Sequence, residues 1–306
     1  MDKSYADTVR LLLAIAPDVF ANNIFAMKGG TAINLFVQDM PRLSVDIDVV
    51  YLPWQTPREE ALQAINQELA AIAKRVAALG VNTRLIPARS LGDTKLIVEN
   101  ETCQVKVEVN VVFRGSVLPA ERRELSARTS NLFSAELDLP TLAPDELYAS
   151  KLMAALDRQH PRDLFDVWQM YGSGGISDAM VECFVIYLAG HNRPPHEVLF
   201  SNDKDIAYEY ERAFVGMTEA ECSLETLLAV RARLQDELPK RLTTAQKQFL
   251  SGLVRAEPDW SLLQCRHAAE LPALRWKLSN LETFRKRRPA DFAAQADTFD
   301  AGLNRI

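Results

Sequence analysis

Hydrophobic and polar residues alternate along several early segments of the chain, which is the pattern of strands that bury one face. The alternation is clearest over residues 104–113 (QVKVEVNVVF), where valine occupies every second position from 105 to 111. Shorter segments rich in β-branched or apolar residues predict further strands at 25–27, 44–52, 82–86 and 94–99. We therefore expect a sheet in the first half of the chain.

Apolar residues recur with helical spacing in most of the chain outside these strand segments. Pro17 is expected to end the first helix, Thr31 to open a short one and Gly80 to cap a long one. Residues 114–140 are expected to be irregular, with a candidate β segment that ends at 139–140. The other predicted helices lie at 5–16, 58–79, 144–158, 161–171, 177–190, 204–215, 223–237, 243–255, 260–269 and 271–286.

Strands early and helices late predict an α/β (α+β) domain followed by a helical domain. The glycine-rich segment 172–175 separates the two patterns. We therefore expect a catalytic domain over residues 1–172 and a helical C-terminal domain over residues 173–306.

Composition narrows the class of protein. The 306 residues are 48% hydrophobic and 25% charged, as in ordinary globular proteins, and the net charge is −6. A nucleic-acid partner would therefore have to bind a local basic face. The four cysteines and four histidines form no metal-binding spacing, so we expect free thiols in a reducing cytoplasm and no zinc site. The N-terminal segment is neither a signal peptide nor a membrane span.

Asp46 and Asp48 are the first candidates for chemistry. Alternate residues of a strand point to the same face, so their carboxylates are expected to project together. Two neighbouring acids repel each other unless a cation lies between them, and Mg²⁺ is commonly bound by one or two carboxylates together with substrate phosphates. The simpler alternative is a pair of solvated surface charges.

Gly29 and Gly30 precede the segment that opens at Thr31. A glycine pair before a helix lets backbone N–H groups approach phosphate oxygens, and the start of a helix favours negative charge. A plain turn would explain the glycines alone. The glycine pair followed by two acids on the next strand is what metal-assisted phosphoryl transfer requires.

These two segments, KGGTAINLF (28–36) and RLSVDIDVVYL (42–52), resemble the signature of the DNA polymerase β-like nucleotidyltransferases and, in detail, the AbiEii/MenT toxins. The loop around Pro41 makes the spacing between the motifs longer than the general pattern. The resemblance implies a mixed-sheet core, Mg²⁺ held by Asp46 and Asp48, and a nucleoside triphosphate bound by the residues from Lys28 to Thr31.

A second segment, ELYASKLMAALDRQHPRDLFDVW (146–168), resembles the Lys…Arg-Asp-Leu-x-Asp region of the same family. The resemblance implies that Lys151 reaches the triphosphate and that an aspartate is essential, with Asp163 as first choice and Asp166 as second. Arg158 and Arg162 either bind phosphate or pair with these acids. A solvated Lys151 and an Asp163 that stabilises its helix start are the structural alternatives.

Two further residues complete the predicted site. Glu108, in the alternating strand, is the best candidate for a third acid that orients or deprotonates the attacking hydroxyl, although it also fits an exposed strand face. Ser44 lies two residues before Asp46. In some related toxins a kinase antitoxin phosphorylates a serine here, and in others the antitoxin is a regulator-like protein; both alternatives stay open.

The family resemblance implies a cytoplasmic toxin that adds a nucleoside monophosphate to the 3′ end of tRNA. Basic residues from Arg231 onward could cradle the acceptor stem, or they form an ordinary solvated surface. Two other functions stay open: transfer to a small hydroxylated molecule such as an aminoglycoside, and a degenerate nucleotide-binding protein without catalysis.

Overall fold

The computed structural model describes residues 3–86 and 94–306. The chain divides into two compact units, Met1–Leu147 and Tyr148–Ile306. Residues 148–172, which the sequence groups with the catalytic domain, thus belong to the second compact unit. The functional boundary near residue 172 stays a prediction, because compactness does not define which residues share a reaction.

The first unit contains a mixed sheet of seven strands in the order β3-β4-β5-β2-β1-β7-β6 within the described residues. The pairs β2–β5 and β1–β7 are parallel, and the other neighbours are antiparallel. The strands are β1 Phe25–Lys28, β2 Ile47–Tyr51, β3 Asn82–Ile86, β4 Thr94–Glu99, β5 Gln104–Asn110, β6 Glu121–Glu124 and β7 Asp138–Thr141. The expected mixed α/β class is confirmed.

Helices pack on this sheet where its strands bury valine. In β5, Val105, Val107 and Val109 are fully buried, while the residues between them reach solvent. Helix α1 contacts β5, and α3 contacts β3 and β4. The helical elements of the first unit are α1 Lys3–Val19, α2 Gly29–Ala32, a π-helical turn Ile33–Val37, α3 Arg58–Ala77 and α4 Ala127–Phe133.

The second unit is helical in its described residues, as the sequence predicts. Helix α7 is apolar on nearly all sides and contacts α8, α10, α11 and α12, so it forms the centre of this unit. The helices are α5 Pro144–Asp157, which begins in the first unit, α6 Pro161–Gly172, α7 Asp178–Gly190, α8 Pro195–Leu199, α9 Ala207–Ala213, α10 Leu224–Arg241, α11 Thr244–Val254, α12 Pro272–Arg287 and α13 Pro289–Leu303.

Three predicted boundaries in the first unit are wrong. Helix α1 continues past Pro17, because the N–H of Phe20 still donates to the carbonyl of Ala16. The short helix begins at Gly29 rather than Thr31. The strand predicted over 44–52 begins only at Ile47, so Asp46 precedes the strand instead of lying in it.

Other segments also differ from the sequence prediction. Residues 114–140 are only partly irregular, since they also form β6 and α4, whereas the candidate β segment that ends at 139–140 corresponds to β7. The segment 260–269 forms two 3₁₀ turns, Trp260–Leu262 and Ala268–Glu270, in place of an α-helix. Strand β5 ends at Asn110. The side-chain carbonyl of Asn110 accepts hydrogen bonds from the backbone N–H groups of Val112 and Phe113. Every helix in the described part of the chain is too short or too polar to cross a bilayer.

Candidate active site

The glycine turn at the end of β1 lies directly against Asp48. Gly29 has φ +78°, a left-handed conformation that residues with a Cβ rarely adopt. A Cβ placed on Gly29 would lie 2.3 Å from Oδ2 of Asp48. Glycine is therefore required here both by the backbone conformation and by the carboxylate beside it.

A row of four charged residues crosses the sheet at this level. Lys28 of β1 pairs in register with Asp48 of β2, Asp48 with Glu108 of β5, and Glu108 with Lys95 of β4. Residues in register lie on the same face, so the order of charge across the face is positive, negative, negative, positive. Nζ of Lys95 lies 2.9 Å from Oε1 of Glu108. We call these residues the charge row.

The loop that leads to Asp46 is fixed by hydrogen bonds. Oγ of Ser44 lies 3.0 Å from Oγ1 of Thr31, and the Ser44 N–H donates to the Tyr5 hydroxyl over 3.0 Å. Burial raises the pKa of Tyr5, while its hydrogen bond with Ser44 and the positive charge of Arg42 act in the opposite direction. Helix α1 therefore holds the segment that precedes the acid pair, and Asp46 follows it half-buried.

Gly30 is required for close packing against the same loop. A Cβ on Gly30 would lie 2.5 Å from Nη2 of Arg42 and 3.0 Å from Oγ of Ser44. The side chain of Asn34 bridges the two segments, since it donates to the Gly30 carbonyl over 2.7 Å and accepts the Arg42 N–H over 3.2 Å. Arg42 is buried, so its guanidinium is a fixed positive charge under the glycine turn.

Carboxylate oxygens are the donors that this site offers to a cation. In the described parts of the chain, no group of three or more His, Cys, Asp or Glu residues is placed to hold a metal ion. A hard cation at Asp46 and Asp48 would therefore need additional oxygen ligands from a bound molecule. Phosphate groups supply such oxygens, and Mg²⁺ commonly uses them.

The second unit contains a different arrangement of the predicted residues. Asp163 and Asp166 of α6 are 0% and 1% exposed, and Lys151 of α5 is 7% exposed. Nζ of Lys151 lies 3.1 Å from a carboxylate oxygen of each aspartate. Arg158 donates to Asp163 from both Nε and Nη2, the latter over 2.9 Å. Lys151, Asp163 and Asp166 form a buried ion cluster, and the exposed Arg158 pairs with it from the surface.

Charge compensation keeps Asp163 ionised in this cluster. Burial opposes ionisation, but the nearby charge of Lys151 and the hydrogen bonds from Arg158 and Lys151 hold the pKa of Asp163 well below its ordinary value. The alternative of a solvated Lys151 is wrong. Of the two arginines, Arg158 pairs with the acid, whereas Arg162 is exposed and donates its backbone N–H to His160.

Ion pairs with nearby acids involve many basic residues of the helical unit. Lys277 is buried against two backbone carbonyls. This pairing favours an ordinary salt-bridged surface over a tRNA cradle. The pairs are Arg231–Asp203, Arg233–Glu237, Lys240–Asp236, Arg241–Asp178, Arg255–Asp300, Arg285–Glu257 and Arg288–Asp291.

Three residues of the first site, Lys95, Tyr5 and Asn34, were not predicted from the sequence. Lys95 pairs with Glu108 across the β4–β5 hairpin. The only sequence signal for Lys95 was that it is a charged residue within a predicted strand that precedes the strand of Glu108. Tyr5 and Asn34 bind the loop from distant or buried positions, and no local pattern marks either of them.

Comparison with known proteins adds independent information. A sequence profile of the family described as "Nucleotidyl transferase AbiEii toxin, Type IV TA system" matches residues 10–280. Among solved structures, the chain is similar to MenT4, a nucleotidyltransferase toxin from Mycobacterium tuberculosis H37Rv, with a TM-score of 0.60 and 17% sequence identity over 91% of this chain and 94% of that chain. At that identity the likeness concerns the fold alone. None of the curated proteins matches the chain by sequence.

Proposed function

Because the chain belongs to the AbiEii family of nucleotidyltransferase toxins, we propose that its first unit binds the nucleoside triphosphate at the glycine turn beside Asp48. The observation that carries this proposal is the contact between Gly29 and the Asp48 carboxylate. This contact places a carboxylate that can bind a cation next to a turn whose backbone N–H groups can approach phosphate oxygens.

We propose Mg²⁺ as the cation, with Asp46 and Asp48 as its protein ligands. The donor set fits, because Mg²⁺ prefers oxygen and is usually bound by few carboxylates together with substrate phosphates. An added Cβ at Gly29 would lie 2.3 Å from Oδ2 of Asp48, so glycine leaves room for the carboxylate itself to lie against the turn. When bound, the cation neutralises charge on the triphosphate.

The chain's own groups bind and orient the substrates in this proposal. N–H groups of the glycine turn bind phosphate oxygens, and Lys28, at the end of the charge row, adds positive charge. Glu108 orients the attacking hydroxyl. The hydroxyls of Thr31 and Ser44 are in contact, and both residues are assigned to nucleotide binding in this proposal.

The second unit contributes residues by family resemblance. Lys151 and Asp163 are proposed to act in the transfer, with Asp166 and Arg162 in supporting roles. The support is the match of the family profile to residues 10–280, which include this segment. Lys151, Asp163 and Asp166 are buried, so a substitution of any of these three must be tested for folding before its activity is interpreted.

We propose the 3′ end of tRNA as the acceptor. Its terminal hydroxyl oxygen would attack the α-phosphorus of the triphosphate, forming a phosphodiester bond as the bond to the leaving pyrophosphate breaks. A tRNA extended in this way lacks its normal acceptor end and cannot be charged with an amino acid, so translation stops. This is the activity that the family resemblance implies for a toxin.

Control by an antitoxin follows from membership in a toxin–antitoxin family. We propose Ser44 as a point of control, because its hydroxyl contacts Thr31 next to the glycine turn. A phosphate on Ser44 would add about two negative charges beside the acid pair and oppose triphosphate binding. Ser44→Asp should therefore lose much more activity than Ser44→Ala, which removes the hydroxyl contact with Thr31 but adds no charge. A regulator-like antitoxin would leave Ser44 unmodified in cells that carry both proteins.

A labelling assay tests the proposed function. Purified protein is incubated with Mg²⁺, total tRNA and each of the four α-labelled nucleoside triphosphates in turn, and the product is resolved on a gel. The native chain should label tRNA with at least one nucleotide, and Asp46→Asn and Asp48→Asn should not. Omission of Mg²⁺ in the presence of a chelator should also abolish labelling.

The alternative acceptor is tested in parallel by mass spectrometry of aminoglycosides after the same incubation. A mass shift there without any tRNA labelling would move the acceptor to a small molecule. Labelling of neither acceptor with any nucleotide, by protein that is folded, would contradict the proposed reaction.

A further inference from the structure

The charge row contains a residue with no role so far. Lys95 of β4 lies at its end and forms an ion pair of 2.9 Å with Glu108, which is the direct strand neighbour of Asp48. The Lys95 side chain is 40% exposed and that of Glu108 is 23% exposed. An ion pair this exposed adds little to stability, so its effect is on the position of the carboxylate.

Adjacent strands are about 4.8 Å apart, so the carboxylates of Glu108 and Asp48 are close enough to share one cation. Two neighbouring acids would ordinarily turn toward the same positive charge. In this structure Glu108 is drawn the other way, toward Lys95 on β4. In the described residues, no group of three or more His, Cys, Asp or Glu side chains is placed to hold a metal ion.

We propose that Lys95 is a positioning residue that holds Glu108 beside the cation rather than on it. Of the three acids Asp46, Asp48 and Glu108, only the two aspartates then bind the cation, and its remaining positions are open to the triphosphate. Glu108 stays available for the acceptor hydroxyl. This inference rests on the proposed function, because it assigns a task at the same site.

A Lys95 that only stabilised the fold would not control cation affinity, whereas a Lys95 that positions Glu108 would. Without Lys95, Glu108 can turn to the cation, so cation binding in the absence of nucleotide should become tighter while transfer becomes worse. Lys95→Met is expected to tighten Mn²⁺ binding by about threefold or more, from the Coulomb attraction of one additional carboxylate near a partly solvated site. The KM for the triphosphate should rise, because Glu108 then occupies a position that a phosphate needs.

A double-mutant cycle measures this effect directly. Mn²⁺ binding is followed by electron paramagnetic resonance for the native chain, Lys95→Met, Glu108→Gln and the double variant. Lys95→Met should tighten binding in the native background and change it by less than twofold in the Glu108→Gln background. Lys95→Arg should behave as the native chain, because an arginine keeps the ion pair.

Lys74→Met is the matched control. Lys74 is an exposed lysine in the last turn of α3, so its loss changes the net charge of the first unit by the same amount. It should leave Mn²⁺ affinity and transfer unchanged. Thermal unfolding of each variant establishes that the chains compared are folded.

Unchanged or weaker Mn²⁺ binding in Lys95→Met would overturn the inference. So would tightening that persists in the double variant, because the effect would then be long-range charge alone. Absence of Mn²⁺ binding by the native chain, with and without nucleotide, would overturn the proposed function as well. Normal native binding with no response to Lys95 would overturn this inference alone.

Discussion

The two units contain two pairs of neighbouring acids in opposite electrostatic situations. Asp48 and Glu108 lie on a sheet face that solvent reaches, and Lys95 of the neighbouring strand forms an ion pair with Glu108. Asp163 and Asp166 are fully buried, and Lys151 lies between them. A buried carboxylate needs an internal partner, because water no longer stabilises its charge. A partly exposed carboxylate does not, and it can accept a cation from outside.

The comparison separates effects on stability from effects on chemistry. The buried ion cluster should respond to substitution in the free energy of unfolding as well as in transfer, because its charges are buried. The charge row should respond chiefly in the rate of transfer. The following predictions test that separation, beginning with the largest expected effect.

Asp163→Asn should lower the free energy of unfolding by about 3–5 kcal/mol, because Lys151 loses a buried partner while its own charge remains. The measurement is urea unfolding of the full chain. Asp178→Asn is the matched control, since Asp178 is also in the first turn of a helix and pairs with Arg241, but its side chain is 96% exposed. It should cost about 0–1 kcal/mol. Equal losses in the two variants would contradict the assignment of the buried cluster.

Asp48→Asn should reduce transfer by about 10²–10³-fold, the usual cost of removing one group that stabilises developing charge. Its free energy of unfolding should change by less than about 1 kcal/mol, because the carboxylate is only half-buried. Glu124→Gln, on the exposed edge strand β6, should change neither quantity. Full activity in the Asp48 variant would remove this acid from the proposed site.

Acid should destabilise the chain through Asp163. Its pKa is lowered in the folded state, so its contribution to stability is fully present above its unfolded pKa of about 3.9 and is lost as the pH falls below that value. The difference in unfolding free energy between the native chain and Asp163→Asn should therefore shrink steadily as the pH falls from about 4 to about 2. A constant difference over this range would mean that Asp163 is not the titrating group.

Gly29→Ala should reduce both stability and transfer, because the left-handed backbone costs about 1–2 kcal/mol for a residue with a Cβ and the methyl group displaces Asp48. Gly80→Ala is the control, since Gly80 has φ +79° but nothing within 4 Å of an added Cβ. Gly80→Ala should lower the free energy of unfolding through the backbone strain but leave the rate of transfer unchanged. Similar activity losses in both variants would argue against the close contact with Asp48.

Lys277 should give the smallest effect. Burial lowers its pKa to about 8, so the folded chain releases this proton at a lower pH than the unfolded chain does. Stability should therefore rise between about pH 8 and pH 10, by on the order of 1–2 kcal/mol relative to Lys277→Met. The measurement is a pH series of urea unfolding. Parallel curves for the two proteins would show that Lys277 is not responsible.

Local sequence accounts for much of the first unit. The valine alternation of 104–110 predicts β5 because a strand that packs on a helix must bury every second residue. Gly80 and Pro161 mark helix ends through backbone rules that need no tertiary information. The helix predicted over 260–269 is wrong because local sequence does not decide this segment. Its apolar spacing is compatible with a helix, but tertiary packing selects two 3₁₀ turns.

By itself, the sequence determined the residue types of the candidate site: a glycine pair, two acids two residues apart, and the Lys–Arg–Asp segment, all of which are local patterns. Only the tertiary structure decided that Lys95 faces Glu108 and that Lys151 is buried between two aspartates. The physical reason is that strand register and helix packing join residues far apart in the chain. Whether a carboxylate is open to a cation depends on those neighbours and on solvent, neither of which a local pattern records.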